Sequence, residues 1–101
     1  MLIPEKNLRR ILWLYLGGTR GGVARLRILL ILKDRPSNTN QLATALKLDY
    51  TTIMYHMRVL EKSGFVSLEK KKYGSFYFLS PLLERNQQIL GEIEKNIGKG
   101  L

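Results

Sequence analysis

The sequence predicts a mostly α-helical domain with one small β-hairpin, and two patterns carry this prediction. Apolar residues recur three and four positions apart in several segments, which is typical of helices that bury one face. Residues 65–70 instead alternate apolar and polar side chains, and residues 75–79 follow a glycine-containing turn, which is typical of a hairpin. A chain of 101 residues can bury one core, so we expect a single domain over residues 1–101.

The N-terminal segment, residues 1–17, is predicted to form a helix with Pro4 at its first position and an apolar surface nearly all round its second half. Such a helix needs more burial than the edge of a small domain offers, which favours a dimer interface. The dimer contacts would be Leu8, Ile11, Leu12 and Tyr15. Two alternatives stay open: the helix covers only its own core, or it lies on a membrane surface with its basic residues beside the apolar face.

Residues 17–22 are rich in glycine and separate this helix from the next. They lack the Gly-Lys-Ser/Thr ending and the preceding strand of a phosphate-binding P-loop. Arg20 could hold a DNA phosphate at the start of the following helix, or remain a solvated charge. That helix, residues 23–33, is apolar on most sides and is predicted to be the central core helix, with Arg25 and Arg27 facing outward.

Residues 38–63 predict two short helices joined by a tight turn, a helix-turn-helix. Asn38 and Gln41 have capping-box spacing at the start of the first helix, and Asp49 is placed to cap the second. The apolar face of the second helix, residues 49–63, is formed by Ile53, Met57 and Leu60. An ordinary helical hairpin in a core would show the same spacing.

The opposite face of helix 49–63 carries hydrogen-bonding groups, flat rings and one guanidinium, with no carboxylate among them. A helix anchored on one side and bearing such groups on the other suits the DNA major groove. The predicted base contacts are Tyr50, Thr51, Met54, Tyr55 and Arg58.

Gly64 is predicted to end this helix in a left-handed conformation, and the hairpin follows. Its tip, Lys70-Lys71-Lys72-Tyr73, is suited to phosphates or to a minor groove, although a solvated basic loop would look the same. Ser80 and Pro81 then open a C-terminal helix over residues 81–98. Its seven-residue repeat suggests a short coiled-coil seam for dimerisation, interrupted at Asn86, through Leu83, Leu90, Ile93 and Ile97.

Residues 38–66 resemble the helix-turn-helix and the start of the wing in ArsR-like winged-helix transcription regulators, most of all their archaeal members. The family pattern is matched at Leu42-Ala43, Thr51-Thr52-Ile53, His56-Met57 and Leu60-Glu61-Lys62-Ser63-Gly64-Phe65-Val66. The resemblance covers about residues 22–80. It implies a winged helix-turn-helix core, residues 22–80, with additional N- and C-terminal helices.

Charge supports a polyanionic partner, since the formal net charge is +9. Residues 1–35 hold eight Lys and Arg against two acidic residues, an excess of +6, whereas residues 81–101 hold three of each sign. Side chains around the helix-turn-helix and hairpin would hold the DNA backbone and set the register without choosing the sequence. These predicted backbone contacts are Arg20, Asn38, Lys47, Thr52, Lys62, Lys70, Lys71, Lys72 and Tyr73.

Several functions are not expected. The chain has no cysteine, whereas many ArsR-like proteins sense metals through cysteines on the recognition helix, so we expect neither a metal nor a cofactor. His56 is the single histidine and is expected to be structural, so the chain is not expected to be an enzyme. The longest apolar run near the N-terminus is too short to span a bilayer, and no signal-peptide pattern is present, which predicts a cytoplasmic protein.

The sequence therefore predicts a sequence-specific, double-stranded DNA-binding transcription regulator. It would bind an inverted repeat as a homodimer, with helix 49–63 in the major groove and residues 70–74 as the wing. Two alternatives remain: a winged helix used as a protein-interaction module, and an architectural DNA binder with little sequence preference.

Overall fold

The computed structural model describes residues 5–17 and 20–98, so the predicted role of Pro4 lies outside the described residues. Its elements, in chain order, are α1 (Glu5–Leu16), α2 (Gly22–Asp34), α3 (Thr39–Leu46), α4 (Tyr50–Lys62), β1 (Val66–Lys71), β2 (Gly74–Leu79), α5 (Pro81–Arg85) and α6 (Gln87–Gly98). The predicted fold class is confirmed: a helical core is followed by a two-stranded antiparallel hairpin, and helices are added at both ends.

The core lies around α2, against which α1, α3, α4, α6 and β2 all pack. Its largest fully buried side chains come from several helices and from the start of the hairpin, among them Leu12, Leu29, Met57, Phe65 and Leu90. The ring of Phe65 meets that of Tyr15 edge-on, with centroids 5.4 Å apart. No helix among the described residues is long and apolar enough to cross a membrane.

The hairpin pairs Val66 with Leu79 and, at its far end, Lys71 with Gly74. Lys72 and Tyr73 alone form the turn, so Lys71 and Gly74, which the sequence predicted in the turn, belong to β1 and β2, whereas Lys70 lies in the strand as predicted. Ser37 forms a bridge with Tyr77, donating its backbone N–H to Tyr77 O at 3.2 Å and accepting from Tyr77 N at 2.8 Å. This bridge fixes the hairpin beside the start of α3.

The C-terminal segment forms two helices, where the sequence predicted one over residues 81–98. Ser80 caps α5 and Pro81 occupies its first turn, as predicted. At Asn86 the backbone leaves the helical region, with φ −125° and ψ 33°. The Asn86 amide donates to Leu82 O at 2.8 Å, and this local bond competes with continuation of the helix. A coiled-coil seam that runs through the break is therefore not formed.

Most residues predicted to form the dimer interface lie in the core of the chain itself. Leu8, Leu12, Leu83, Leu90 and Ile93 are 0% exposed. Helices α1 and α6 pack on α2 and on each other, and α5, which carries Leu83, packs against β2. Ile11, Tyr15 and Ile97 are partly buried at the border of this core. While α1, α5 and α6 keep these positions, the five fully buried side chains cannot contact a second chain.

Arg25 also differs from its prediction. It was expected to face outward from α2 but is buried, with 4% of its surface exposed, whereas Arg27 is exposed. The helix is covered on most sides, so its periodicity does not separate an outer face from an inner one. The guanidinium of Arg25 is directed toward the end of α1 and toward α4.

Candidate nucleic-acid interface

The helix-turn-helix is held by the caps that the sequence predicts. Gln41 N donates to the Asn38 side chain at 2.8 Å, and Asn38 N donates to the Gln41 side chain at 2.8 Å, which completes the capping box of α3. Thr52 N donates to the Asp49 side chain at 2.8 Å, so Asp49 caps α4. Hydrogen bonds from Thr52 hold the pKa of the Asp49 carboxyl below its usual value. Both helices therefore begin at defined residues.

The turn between α3 and α4 passes through Lys47, which has φ 58° and ψ 41°. This is the left-handed region that glycine usually occupies, and Lys47 is the single non-glycine residue found there among the described ranges. Its backbone N–H bonds the carbonyls of Ala43 and Thr44, and its side chain is exposed. The turn thus directs α4 away from α3 and leaves the lysine amine in solvent.

Helix α4 has two distinct faces. Ile53, His56, Met57 and Leu60 are buried against the core. Tyr50 and Tyr55 are 52% and 58% exposed, and Thr51 and Arg58 are also exposed. Seen along the helix axis, these four side chains lie within less than half of the helix circumference, so they share one outer face. The structure thus brings four of the five predicted base contacts together on the surface.

Met54, the fifth predicted base contact, is only partly exposed. Its sulfur accepts a hydrogen bond from Thr39 Oγ1 at 3.5 Å, so it packs between α3 and α4. Thr39 and Tyr77 both line the groove beside Met54, and the pKa of Tyr77 is raised mainly by burial. Met54 therefore helps to join the two helices to the hairpin.

A groove lies between α3, α4 and the hairpin. Its volume is about 350 Å³, and its lining residues are Asn38, Thr39, Asn40, Tyr50, Met54, Leu68, Ser75 and Tyr77. Asn40 and Ser75 were not predicted as functional residues. The only sequence signal for Asn40 was its place inside the capping box, and Ser75 carried none, because it reaches this groove through strand pairing. The groove presents uncharged donors and acceptors beside Tyr50.

The hairpin lysines point in different directions. Side chains alternate along a strand, so Lys70 shares a face with Leu68 and with its partner Ser75, which both line the groove. Lys71 lies on the other face, where its Nζ is 3.6 Å from Glu69 Oε1 and 5.6 Å from the ring centroid of Phe78. At the turn, Lys72 Nζ lies 5.5 Å from the ring centroid of Tyr73, which is 86% exposed.

The remaining predicted backbone contacts are more scattered. Lys47 and Lys62 are exposed at the ends of α3 and α4, and Arg20 is exposed before α2. Asn38 and Thr52 are partly buried, and their capping bonds use the Asn38 side-chain oxygen and the Thr52 backbone N–H. Within the described residues, no group of three His, Cys, Asp or Glu side chains could hold a metal ion.

The helical core, its helix-turn-helix and the antiparallel hairpin define a winged helix-turn-helix domain. Residues 23–67 match the family model described as bacterial regulatory protein, arsR family. No curated protein matches this sequence.

Solved structures of regulators show the same fold. HlyU from Vibrio cholerae N16961 has a TM-score of 0.67 at 20% identity, and the alignment covers 92% of this chain and 96% of HlyU. The transcriptional regulator BldR from Sulfolobus solfataricus has a TM-score of 0.68 at 16% identity, and the alignment covers 93% of this chain and 68% of BldR. The adhesin competence repressor AdcR from Streptococcus pyogenes has a TM-score of 0.65 at 18% identity, and the alignment covers 95% of this chain and 74% of AdcR. At these identities the likeness establishes the fold.

Proposed function

We propose that this chain is a sequence-specific, double-stranded DNA-binding transcription regulator that places α4 in the major groove. The observation that carries the proposal is the outer face of α4, where Tyr50, Thr51, Tyr55 and Arg58 are exposed while the opposite face is anchored in the core. Hydroxyls and a guanidinium can bond base edges, and the rings can contact thymine methyl groups. The ArsR-type match over residues 23–67 supports the same function.

The hairpin and the exposed lysines would hold the DNA backbone. Lys47, Lys62 and Lys70 lie at the borders of the helix-turn-helix and the groove, where contacts with phosphate set the register. The net charge of +9 adds affinity that does not depend on base sequence. Base contacts and backbone contacts therefore fall to different side chains.

We propose further that the protein binds an inverted repeat as a homodimer. Leu14, in the second half of α1, is 59% exposed although its neighbours pack inward, and Trp13 and Ile97 are only partly buried. These residues would take the place of the five fully buried ones in the dimer contact. Two recognition helices related by a two-fold axis would then meet half-sites about 34 Å apart. The cytoplasmic location and the archaeal type remain predictions.

The DNA-binding function is tested by fluorescence anisotropy with a genomic duplex library over a series of salt concentrations. The native protein is compared with Tyr50→Ala/Thr51→Ala/Arg58→Ala, which changes only exposed side chains of α4. The control is Gln88→Ala/Lys95→Ala, which also removes one positive charge but from exposed positions on α6. A preference that the triple variant loses and the control keeps is the expected result.

The other outcomes separate the alternatives. Binding without sequence preference in all three proteins would indicate an architectural DNA binder. Absence of binding by the native protein at low salt would overturn the DNA-binding function and favour a protein-interaction module.

The dimer is tested by mass in solution. Deleting α1 or α6 would uncover the core, so a point substitution is the better test: Leu14→Glu should convert a dimer of twice the 11.7 kDa chain mass into a monomer. Tyr73→Glu, on the exposed hairpin turn, is the control. A dimer that survives Leu14→Glu would contradict an α1 interface.

A further inference from the structure

Arg25 joins three parts of the molecule although it belongs to the core helix α2. Its Nε donates to the carbonyl of Tyr15, in the last turn of α1, at 3.0 Å. Its Nη2 donates to the carbonyl of Arg20, before α2, at 3.4 Å. Its Nη1 lies 3.3 Å from Nδ1 of His56, in the middle of α4. The guanidinium therefore connects the end of α1 to the recognition helix.

The contact between Arg25 and His56 fixes the protonation of the imidazole. A guanidinium has donors and no acceptor, so Nδ1 of His56 must be the acceptor and carry no proton. His56 is 5% exposed, and its pKa is lowered, first by burial and then by the charge of Arg25. The neutral ring, with its proton on Nε2, is the form that fits this cluster.

The glycine-rich segment makes room for this contact. Gly21 has φ +85°, and a Cβ built there would lie 2.9 Å from Cε1 of His56 and 3.3 Å from Nη1 of Arg25. Any other residue would meet both groups and would also occupy an unfavourable backbone region. A glycine at this position lets the guanidinium and the imidazole approach each other. This contact gives Gly21 a structural role in a segment that does not match a phosphate-binding loop.

His56 is also linked to the exposed face of α4. Its ring meets that of its neighbour Tyr55, with centroids 5.4 Å apart and planes at 61°. Tyr55 is 58% exposed on the face proposed to contact bases. A displacement of His56 would therefore move the Tyr55 ring. Among the described residues, the groups that contact His56 include Arg25 from α2, Gly21 from the segment before α2, and Tyr55 from α4 itself.

We propose that Arg25 is a positioning residue for DNA binding, which holds α4 in its DNA-binding position through an unprotonated His56. The inference rests on the proposed DNA-binding function. Protonation of His56 would remove the acceptor and place a second cation beside the guanidinium. Proton binding and DNA binding therefore oppose each other, and each must weaken the other by the same factor.

The chain contains one histidine, so its imidazole can be followed by NMR without ambiguity. His56 is titrated in the free protein and in the complex with the preferred duplex from the library experiment. The expected result is a lower His56 pKa in the complex than in the free protein. The same pKa in both states, with DNA still bound, would overturn the inference and leave the DNA-binding function intact.

Variants test the contact itself. Arg25→Gln and His56→Leu should weaken binding to the preferred duplex by roughly five-fold or more, the lower range of site-to-site coupling. Arg27→Gln removes the same charge from an exposed position of α2 and should leave the affinity close to native. His56→Asn places an amide oxygen near the position of Nδ1 and does not titrate. It should retain the affinity at neutral pH and lose the decline in affinity that occurs as pH falls through the lowered pKa of His56.

Circular dichroism at each pH verifies that the compared proteins are folded. Native affinity for His56→Leu, or an acid decline that persists in His56→Asn, would contradict the inference. If Arg25→Gln does not fold, His56→Leu and the native NMR titration still decide the question. If the native protein binds no DNA, the inference falls together with the proposed function.

Discussion

Arg9 in the first helix forms a two-point ion pair with Glu92 in the last: Nε lies 2.9 Å from Oε2, and Nη2 lies 3.1 Å from Oε1. The residues are 83 positions apart in sequence, so the pair joins the two terminal helices. Both side chains are about half exposed, which limits the contribution of the pair to stability. Its effect should be seen most clearly in its dependence on pH and salt.

The pH dependence follows from the Glu92 carboxyl, whose pKa is held below its usual value by the hydrogen bond from Arg9. A carboxyl with a lowered folded-state pKa adds stability above its unfolded pKa, and this contribution is lost as pH falls through the folded pKa. Glu92→Gln should therefore flatten the loss of stability below pH ~4.5. Urea unfolding from pH 3 to 7 measures this, with Glu94→Gln as comparison, because Glu94 forms no ion pair with the residues that the structure describes. An equal change in both variants would assign the effect to net charge.

Replacement of Lys47 by glycine should raise the stability of the protein and weaken its DNA binding. Lys47→Gly removes the left-handed strain and should raise the free energy of unfolding by up to about 1 kcal/mol, since the strain of roughly 1–2 kcal/mol is partly offset by glycine's greater unfolded freedom. Lys47→Ala keeps the strain and loses the same charge. Both should lower the salt slope of DNA binding by about 0.9, one phosphate contact. Equal stability of the two variants would contradict the strain.

The hairpin lysines should contribute unequally to DNA binding. Lys70→Ala should weaken binding to all duplexes alike and reduce the salt slope by about 0.9, because Lys70 lies on the groove side of β1. Lys71→Ala should have a smaller effect, since Lys71 faces away and lies beside Glu69 and Phe78. Anisotropy over a salt series compares the two. A larger loss for Lys71→Ala would place DNA on the opposite face of the hairpin.

Phe65 should be a main determinant of stability. It is 0% exposed and packs edge-on against Tyr15, so Phe65→Ala should lower the free energy of unfolding by about 3–5 kcal/mol. Phe65→Leu retains more of the buried volume and should cost less. Chemical denaturation measures both variants. Similar losses for alanine and leucine would show that the ring contact, and not the filled volume, determines the effect.

Local sequence patterns predicted the helix-turn-helix well because its boundaries are set by local bonds. The capping box of Asn38 and Gln41 and the Asp49 cap form between residues three positions apart. Gly64 was predicted to be left-handed and has φ +81°. Four exposed residues of α4 followed from helical spacing alone. None of these depends on distant parts of the chain.

Contacts between distant segments explain what the sequence did not predict. The burial of Arg25 depends on the carbonyl of Tyr15 in α1 and on His56, 31 positions away. The partial burial of Met54 depends on Thr39, and the place of Ser75 on the register of the hairpin. The fully buried residues of α1 and α6 were assigned to a dimer because periodicity identifies an apolar face without identifying what covers it.

The packing of α1 and α6 on α2 has a consequence for how the molecule opens. Terminal helices usually fray first, and their backbone amides then exchange hydrogen with solvent quickly. Here Leu8 and Leu12 at one end and Leu90 and Ile93 at the other are buried in one core. Neither end can open without uncovering the other. The amides of α1, α2 and α6 should therefore exchange at similar, slow rates as one cooperative unit, while those at the Lys72-Tyr73 turn exchange fastest.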